Sequence, residues 1–208
     1  MLERASNYHQ WMDKRRTVRE FSDRPVSREV IEQLILAAST APSGAHKQPW
    51  TFCAIGDPVV KTQIRKAAEE EEHRNYNGRM SDEWLEDLQA FGTDWNKPFL
   101  EIAPWLVVIF KRSYEMEKGV KKKNYYVNES VGLAAGFFLS AVHEAGLVAL
   151  THTPSPMDFL TKLLKRPSNE RPFLLIPVGY SMEDAKVPDL SRKSLDEVAI
   201  FFDSKGDL

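Results

Sequence analysis

The 208-residue sequence contains a single cysteine, Cys53. With no second thiol, no disulfide can form within the chain, and a reducing compartment is the simpler setting. No apolar run approaches the roughly 18 residues that cross a bilayer. The opening residues, Met1-Leu2-Glu3-Arg4-Ala5-Ser6, hold no apolar stretch of signal-peptide length. Neither sign of charge is in excess: 28 Lys and Arg stand against 30 Asp and Glu, for a net charge of −2. A global pull toward nucleic acid or an anionic membrane is therefore excluded. Histidines and cysteine show no metal-ligand spacing, so no metal site is expected. No Gly-rich dinucleotide fingerprint and no Ser-His-Asp arrangement stands out. Internal repeats are lacking as well. A soluble, cytoplasmic protein without membrane or nucleic-acid partners is the expectation.

The composition itself, 42% hydrophobic and 28% charged, suits one globular domain over residues 1–208. A short helix over about 6–14 leads into Arg15-Arg16-Thr17-Val18-Arg19. Ser27 reads as an N-cap. Ile31, Leu34, Ile35 and Ala38 then fall at i, i+3, i+4 and i+7, which predicts an amphipathic helix over 28–39. Pro42 and Gly44 stop it. Trp50–Ile55 reads as a strand, with Cys53 as small core rather than a nucleophile. Asp57 and Pro58 open a helix running to about Tyr76. Residues 77–99 are polar with isolated aromatics. Trp105–Phe110 is a continuous apolar run, as in a strand buried on both faces. Lys121-Lys122-Lys123 reads as an exposed loop. Residues 129–145 form a helix apolar nearly all round, with Gly132 and Gly136 four apart, suiting a buried helix or a subunit interface. Gly146 is its C-cap. A short strand over 147–150, a helix from Ser155-Pro156, a strand over 173–178 and a terminal strand at 199–202 complete the pattern. Alternating helices and buried strands predict an α+β (α/β-like) class with a partly parallel sheet.

Two segments point to chemistry. Three guanidinium groups within residues 15–19 form an anion site that cannot deprotonate. Ala41-Pro42-Ser43-Gly44-Ala45-His46 is a small-residue loop whose backbone N–H groups can approach a flat ligand. Taken singly, an arginine cluster more often makes a solvated face, and a Pro-Ser-Gly segment an ordinary turn. Joined by a helix and followed by a strand, they suggest a phosphate-bearing cofactor. Glu72 and Tyr76, four apart, share one helix face. On its own the Glu69–Glu72 run reads as solvated helix surface.

Arg15–Arg19, the 40–46 loop with Pro49-Trp50-Thr51-Phe52, Glu69–Glu72 with Asn75-Tyr76, Trp95 and Lys97, Thr151 with Thr153-Pro154, Pro177-Val178-Gly179-Tyr180, and Val187–Leu190 with Arg192-Lys193 together resemble the nitroreductase superfamily of FMN flavoproteins. Glu72, Tyr76 and Lys97 resemble its iodotyrosine deiodinase branch. The likeness spans about residues 10–200. Animal members of the branch carry an N-terminal membrane anchor, and no such segment stands in this sequence.

The resemblance implies a nitroreductase-type fold, a mixed sheet flanked by helices, in an intertwined homodimer with FMN at each end of the interface. It implies that Arg15, Arg16, Thr17, Arg19, Pro42, Ser43, Gly44 and Arg192 hold FMN. Thr153 would place its hydroxyl or backbone amide near flavin N5, where a donor favours one-electron steps, with Thr151 as a weaker companion. Glu72 would take the ammonium of an amino-acid zwitterion and Lys97 its carboxylate, with Tyr76 adding a hydrogen bond. The Ala45 N–H would meet the substrate phenolate. Residues 73–100 would form a lid. The activity implied is reductive dehalogenation of halotyrosines, mono- or diiodotyrosine to tyrosine plus iodide, with electrons from a reductase or NAD(P)H. A general NAD(P)H-dependent nitroreductase or quinone reductase is one alternative, and a non-catalytic flavin or halotyrosine-binding protein another. Neither explains Glu72, Tyr76 and Lys97 as well.

Overall fold

The computed structural model describes residues 1–202. Helix α1 (Leu2–Asp13) precedes the arginine segment, and α2 (Arg28–Ser39) is followed by a tight turn over residues 44–46. Strand β1 (Trp50–Ile55) leads to α3 (Pro58–Arg74), whose N-terminus is capped by the Asp57 carboxylate accepting from the N–H groups of Val59 and Val60 at 2.8 and 3.1 Å. One wide turn over Asn75–Arg79 follows, then α4 (Asp82–Gln89) and the short α5 (Phe99–Ile102). Strand β2 (Trp105–Arg112) is followed by the ribbon β3 (Tyr114–Glu117) and β4 (Val120–Lys123). Then come α6 (Val127–Glu144), β5 (Val148–Ala149), α7 (Asp158–Leu163), β6 (Glu170–Gly179) and α8 (Leu195–Val198).

The main sheet has the order β1-β2-β6-β5. Among the described residues its ladders are antiparallel, and parallel pairing is confined to an isolated bridge between Thr17 and Ala149. The expectation of a partly parallel sheet rested on the alternation of helices with buried strands, the apolar run of β2 among them. That run is explained instead by a central position with both faces covered. Leu106, Val108 and Phe110 pack with Ile64, Ala68, Leu100 and Leu160 on one side. Val107 and Ile109 pack with Leu34, Ala38, Val131, Ala134 and Phe138 on the other.

Four further expectations are corrected. Lys121–Lys123 belongs to β4, an exposed strand, because Lys118 and Gly119 both take positive φ and close a two-residue hairpin. The Glu117–Lys122 ion pair bridges the ribbon. Helix α7 begins at Asp158, later than Ser155-Pro156. Among the described residues, 199–202 pair with no strand, and Ile200, Phe201 and Phe202 are exposed. Finally, α6 buries Val131, Ala134, Phe138 and Val142 but leaves Leu133 and Phe137 46% and 43% exposed on an apolar face with Gly132 and Gly136.

Candidate active site

The arginine segment is held in place by the main sheet. The Val18 N–H donates to the Ala149 carbonyl at 3.3 Å, beside the Thr17–Ala149 bridge. Arg15, Arg16, Thr17, Arg19 and Arg192 line one cavity of about 270 Å³, with Phe91 and Pro188. Arg16 donates to the Pro188 carbonyl, and Arg192 donates to Asp13 at 2.6 Å and to the Arg15 carbonyl at 3.1 Å. Among the described residues, Arg15, Arg16 and Arg19 have no carboxylate partner. Burial lowers the Arg15 pKa, and the charges of Arg192 and Arg16 lower it further. Three partly buried guanidinium groups without a carboxylate partner are suited to an anionic ligand.

The same bridge carries the chain toward Thr151, His152 and Thr153, whose side chains alternate. Both threonines are exposed, while His152 is 8% exposed and lies edge-on to Phe99, centroids 5.6 Å apart. Among the described residues its Nε2 has no hydrogen-bond partner. Desolvation pushes the imidazole pKa down to about 3, with the charges of Lys97 and Arg19 acting in the same direction.

The loop of Pro42, Ser43, Gly44 and Ala45 lies elsewhere. Its Gly44 N–H donates to Ser130 Oγ at 3.3 Å, at the start of α6. A Cβ on Gly44 would stand 2.9 Å from the Tyr125 carbonyl oxygen, so only glycine fits this approach. Ser43 Oγ accepts the Gln48 N–H at 2.9 Å, and Ala45, His46 and Gln48 all hold positive φ. Such backbone strain is kept where the surroundings enforce it, often at functional sites. The arginines sit at the opposite end of α6, where His143 Nε2 lies 2.9 Å from the Trp11 carbonyl oxygen and stacks on the Trp11 ring. An 18-residue helix is about 27 Å long. Within one chain, then, loop 42–45 does not reach the arginine cavity.

Glu72, Tyr76 and Lys97 do come together. Glu72 is 6% exposed and Lys97 3%, with Lys97 Nζ 3.5 Å from Glu72 Oε2. Lys97 Nζ also donates to Thr93 Oγ1 at 3.1 Å and to the Asp94 carbonyl, and it lies 5.5 Å from the Tyr76 ring centroid. The Tyr76 hydroxyl donates to the Thr93 carbonyl at 3.2 Å. Burial raises the Glu72 pKa against the opposing pull of Lys97, and it lowers that of Lys97 against the pull of Glu72. The Arg19 guanidinium is 5.7 Å from the Phe91 ring centroid, so the cationic cavity and the 75–97 segment adjoin.

A sequence profile described as "Nitroreductase family" matches residues 12–180. The chain belongs to the nitroreductase family. Within the family it is 64% identical over 203 residues to an iodotyrosine deiodinase of Haliscomenobacter hydrossis, covering 97% of this chain and 91% of the relative. It is 46% identical over 202 residues to an iodotyrosine deiodinase of Nematostella vectensis, covering 96% and 76%. The solved structure of an oxidized iodotyrosine deiodinase bound to FMN and 3-iodo-L-tyrosine superposes with a TM-score of 0.80 at 32% identity, covering 95% of this chain and 99% of that one.

Sequence reasoning passed over several residues that bond around Lys97 and at the end of α3. Glu69 accepts the Lys97 N–H at 2.7 Å, and Arg65 donates to Glu69, Glu101 and Asn96 at 2.7, 2.7 and 3.0 Å. The Asn75 side-chain amide donates to the Ser155 carbonyl at 2.9 Å, tying the end of α3 to the segment after Thr153. The spacing 69, 72, 76 along one helical face was the available signal. Among the described residues no helix is long and apolar enough to cross a membrane, and no three His, Cys, Asp or Glu side chains group as metal ligands.

Proposed function

We propose that this protein removes halide reductively from halotyrosines, mono- or diiodotyrosine to tyrosine plus iodide, with FMN as its cofactor. The observation that carries the reading is the buried Glu72–Lys97 pair beside Tyr76, adjoining a cavity lined by four arginines. A carboxylate and an ammonium 3.5 Å apart are each matched by one charge of an α-amino-acid zwitterion. Binding replaces one buried ion pair by two, so no buried charge is left unpaired. Glu72 takes the substrate ammonium, Lys97 its carboxylate, and Tyr76 adds a hydrogen bond.

The residues present fit FMN. Arg15, Arg16, Arg19 and Arg192 offer the forked donors that phosphate and ring carbonyls accept, and Thr17, Pro42, Ser43 and Gly44 supply hydrogen bonds or close backbone approach. Thr151 and Thr153, exposed on the segment that follows the Thr17–Ala149 bridge, would hold the reactive edge of the ring. Bound FMN supplies the two electrons of the reaction, drawn from NAD(P)H or a reductase. With one proton added at the halogen-bearing carbon, tyrosine and halide are the products. The Ala45 N–H stabilises the phenolate oxygen. Residues 73–100 act as a lid that excludes water.

The length of α6 supports a homodimer. Two copies packed antiparallel along the exposed face of Gly132, Leu133, Gly136 and Phe137 bring loop 42–45 of one against the arginines of the other. The cofactor site is then completed across the interface. A cytoplasmic setting belongs to the same proposal and rests on the lone Cys53. The test is anaerobic: reduce the flavin with dithionite, add diiodotyrosine, and quantify tyrosine and iodide. With dithionite in excess, so that the flavin is reduced again for the second halide, one tyrosine and two iodides per diiodotyrosine are the expected result. Intact diiodotyrosine together with rapid nicotinamide-driven reduction of a nitroaromatic would move the chain to the general nitroreductases.

A further inference from the structure

Lys97 follows a segment with few internal anchors: α4 buries none of its residues, and Trp95 is 44% exposed. The Lys97 side chain is nevertheless held at 3% exposure against Glu72. What fixes it lies one turn before Glu72 on α3. Glu69 Oε1 accepts the Lys97 backbone N–H at 2.7 Å and the Arg65 Nε–H at 2.7 Å. The remaining Arg65 donors reach both flanks of Lys97, Asn96 Oδ1 at 3.0 Å and Glu101 Oε2 at 2.7 Å. Charge-assisted bonds of this kind are short and directional. Helix α3 thus grips residues 96–101 through Arg65 and Glu69 and presents Glu72 from the adjacent turn. One rigid helix therefore fixes both charges.

We propose that Glu69, oriented by Arg65, is a positioning residue that sets the spacing between Glu72 and Lys97 and so makes the site selective for an α-amino-acid zwitterion. The inference rests on the halotyrosine reading above. It assigns Glu69 no contact with substrate; its effect passes through Lys97.

A double-mutant cycle tests it, read as 3-iodotyrosine affinity from the flavin absorbance of the oxidised holoenzyme. Glu69→Ala weakens binding about tenfold, the worth of one bond to a charged group. Glu69→Gln, which keeps an acceptor for the Lys97 N–H, recovers part of the loss. In a Lys97→Ala background Glu69→Ala changes affinity by less than about twofold, because the residue it positions is gone. An equal loss in both backgrounds, or no loss in either, overturns the proposal. Failure of the unaltered holoenzyme to bind 3-iodotyrosine would instead overturn the halotyrosine reading, and this inference with it. Flavin content and thermal melting of each variant identify misfolding, and Glu69→Gln keeps the test open if Glu69→Ala does not fold.

Discussion

His152 is a buried base that the structure keeps neutral, and replacing it by phenylalanine should flatten the acid dependence of stability. Its folded pKa is about 3 against an ordinary 6.5, so below pH 6.5 the unfolded chain binds more protons than the folded one. Stability is therefore present above pH 6.5 and is lost as pH falls toward the folded value. At pH 5 the unfolded imidazole lies about 1.5 pH units below its own pKa, and each unit is worth about 1.4 kcal/mol. From pH 7 to pH 5 the wild type should lose about 2 kcal/mol through this residue alone. Phenylalanine keeps a ring against Phe99 and removes the unpartnered Nε2. Urea denaturation of the holoprotein at both pH values, in wild type and His152→Phe, isolates the effect, since the other titrating groups are common to both. The difference should correspond to about 4–8 °C in melting temperature. Parallel losses in the two proteins would mean that His152 ionises on folding as it does in water, and the account of a dry, unpaired imidazole would be refuted.

Other outcomes follow from the same geometry. Glu72→Gln leaves Lys97 without its carboxylate partner and should weaken 3-iodotyrosine binding at least tenfold while leaving FMN binding within about twofold, measured by titration against flavin absorbance. Arg16→Ala should lower FMN affinity by about tenfold or more, read from flavin retained on dialysis. Gly136→Arg places a charge on the apolar face of α6, where a Cβ meets nothing within the chain. It should shift the protein toward monomer by about a hundredfold in dissociation constant, and unchanged sedimentation would remove α6 from the interface. Gly179→Ala brings a Cβ to 2.5 Å from Pro104 Cδ and should cost about 1–3 kcal/mol in chemical denaturation.

Periodicity and capping made the scaffold legible. The i, i+3, i+4, i+7 spacing of Ile31, Leu34, Ile35 and Ala38 and the Asp57-Pro58 start located α2 and α3, and the apolar runs located β1, β2 and β6. Strand direction was not legible, because apolarity reports burial and not orientation: β2 is buried by helices on both faces within an antiparallel ladder. Strand β4 was missed because three lysines read as solvated, although Gly119 held the turn signal. In the site, Glu72, Tyr76 and Lys97 were legible only through family resemblance; composition marked them as surface. Glu69 escaped because it bonds a backbone N–H distant in sequence, that of Lys97, and Arg65 because two of its three partners, Asn96 and Glu101, are distant side chains. Burial of His152 between two exposed threonines follows the strand-like alternation of side chains.

The length of α6 has a genetic consequence. If its two ends carry the two halves of one cofactor site in different copies, lesions in those halves complement one another. A chain altered at Arg16 and a chain altered at Gly44, each inactive as a homodimer, should form a mixed dimer in which one site carries both lesions and the other carries neither. Co-expression would then restore flavin binding and dehalogenation to about half per mixed dimer, whereas two lesions at the same end of α6 would restore nothing.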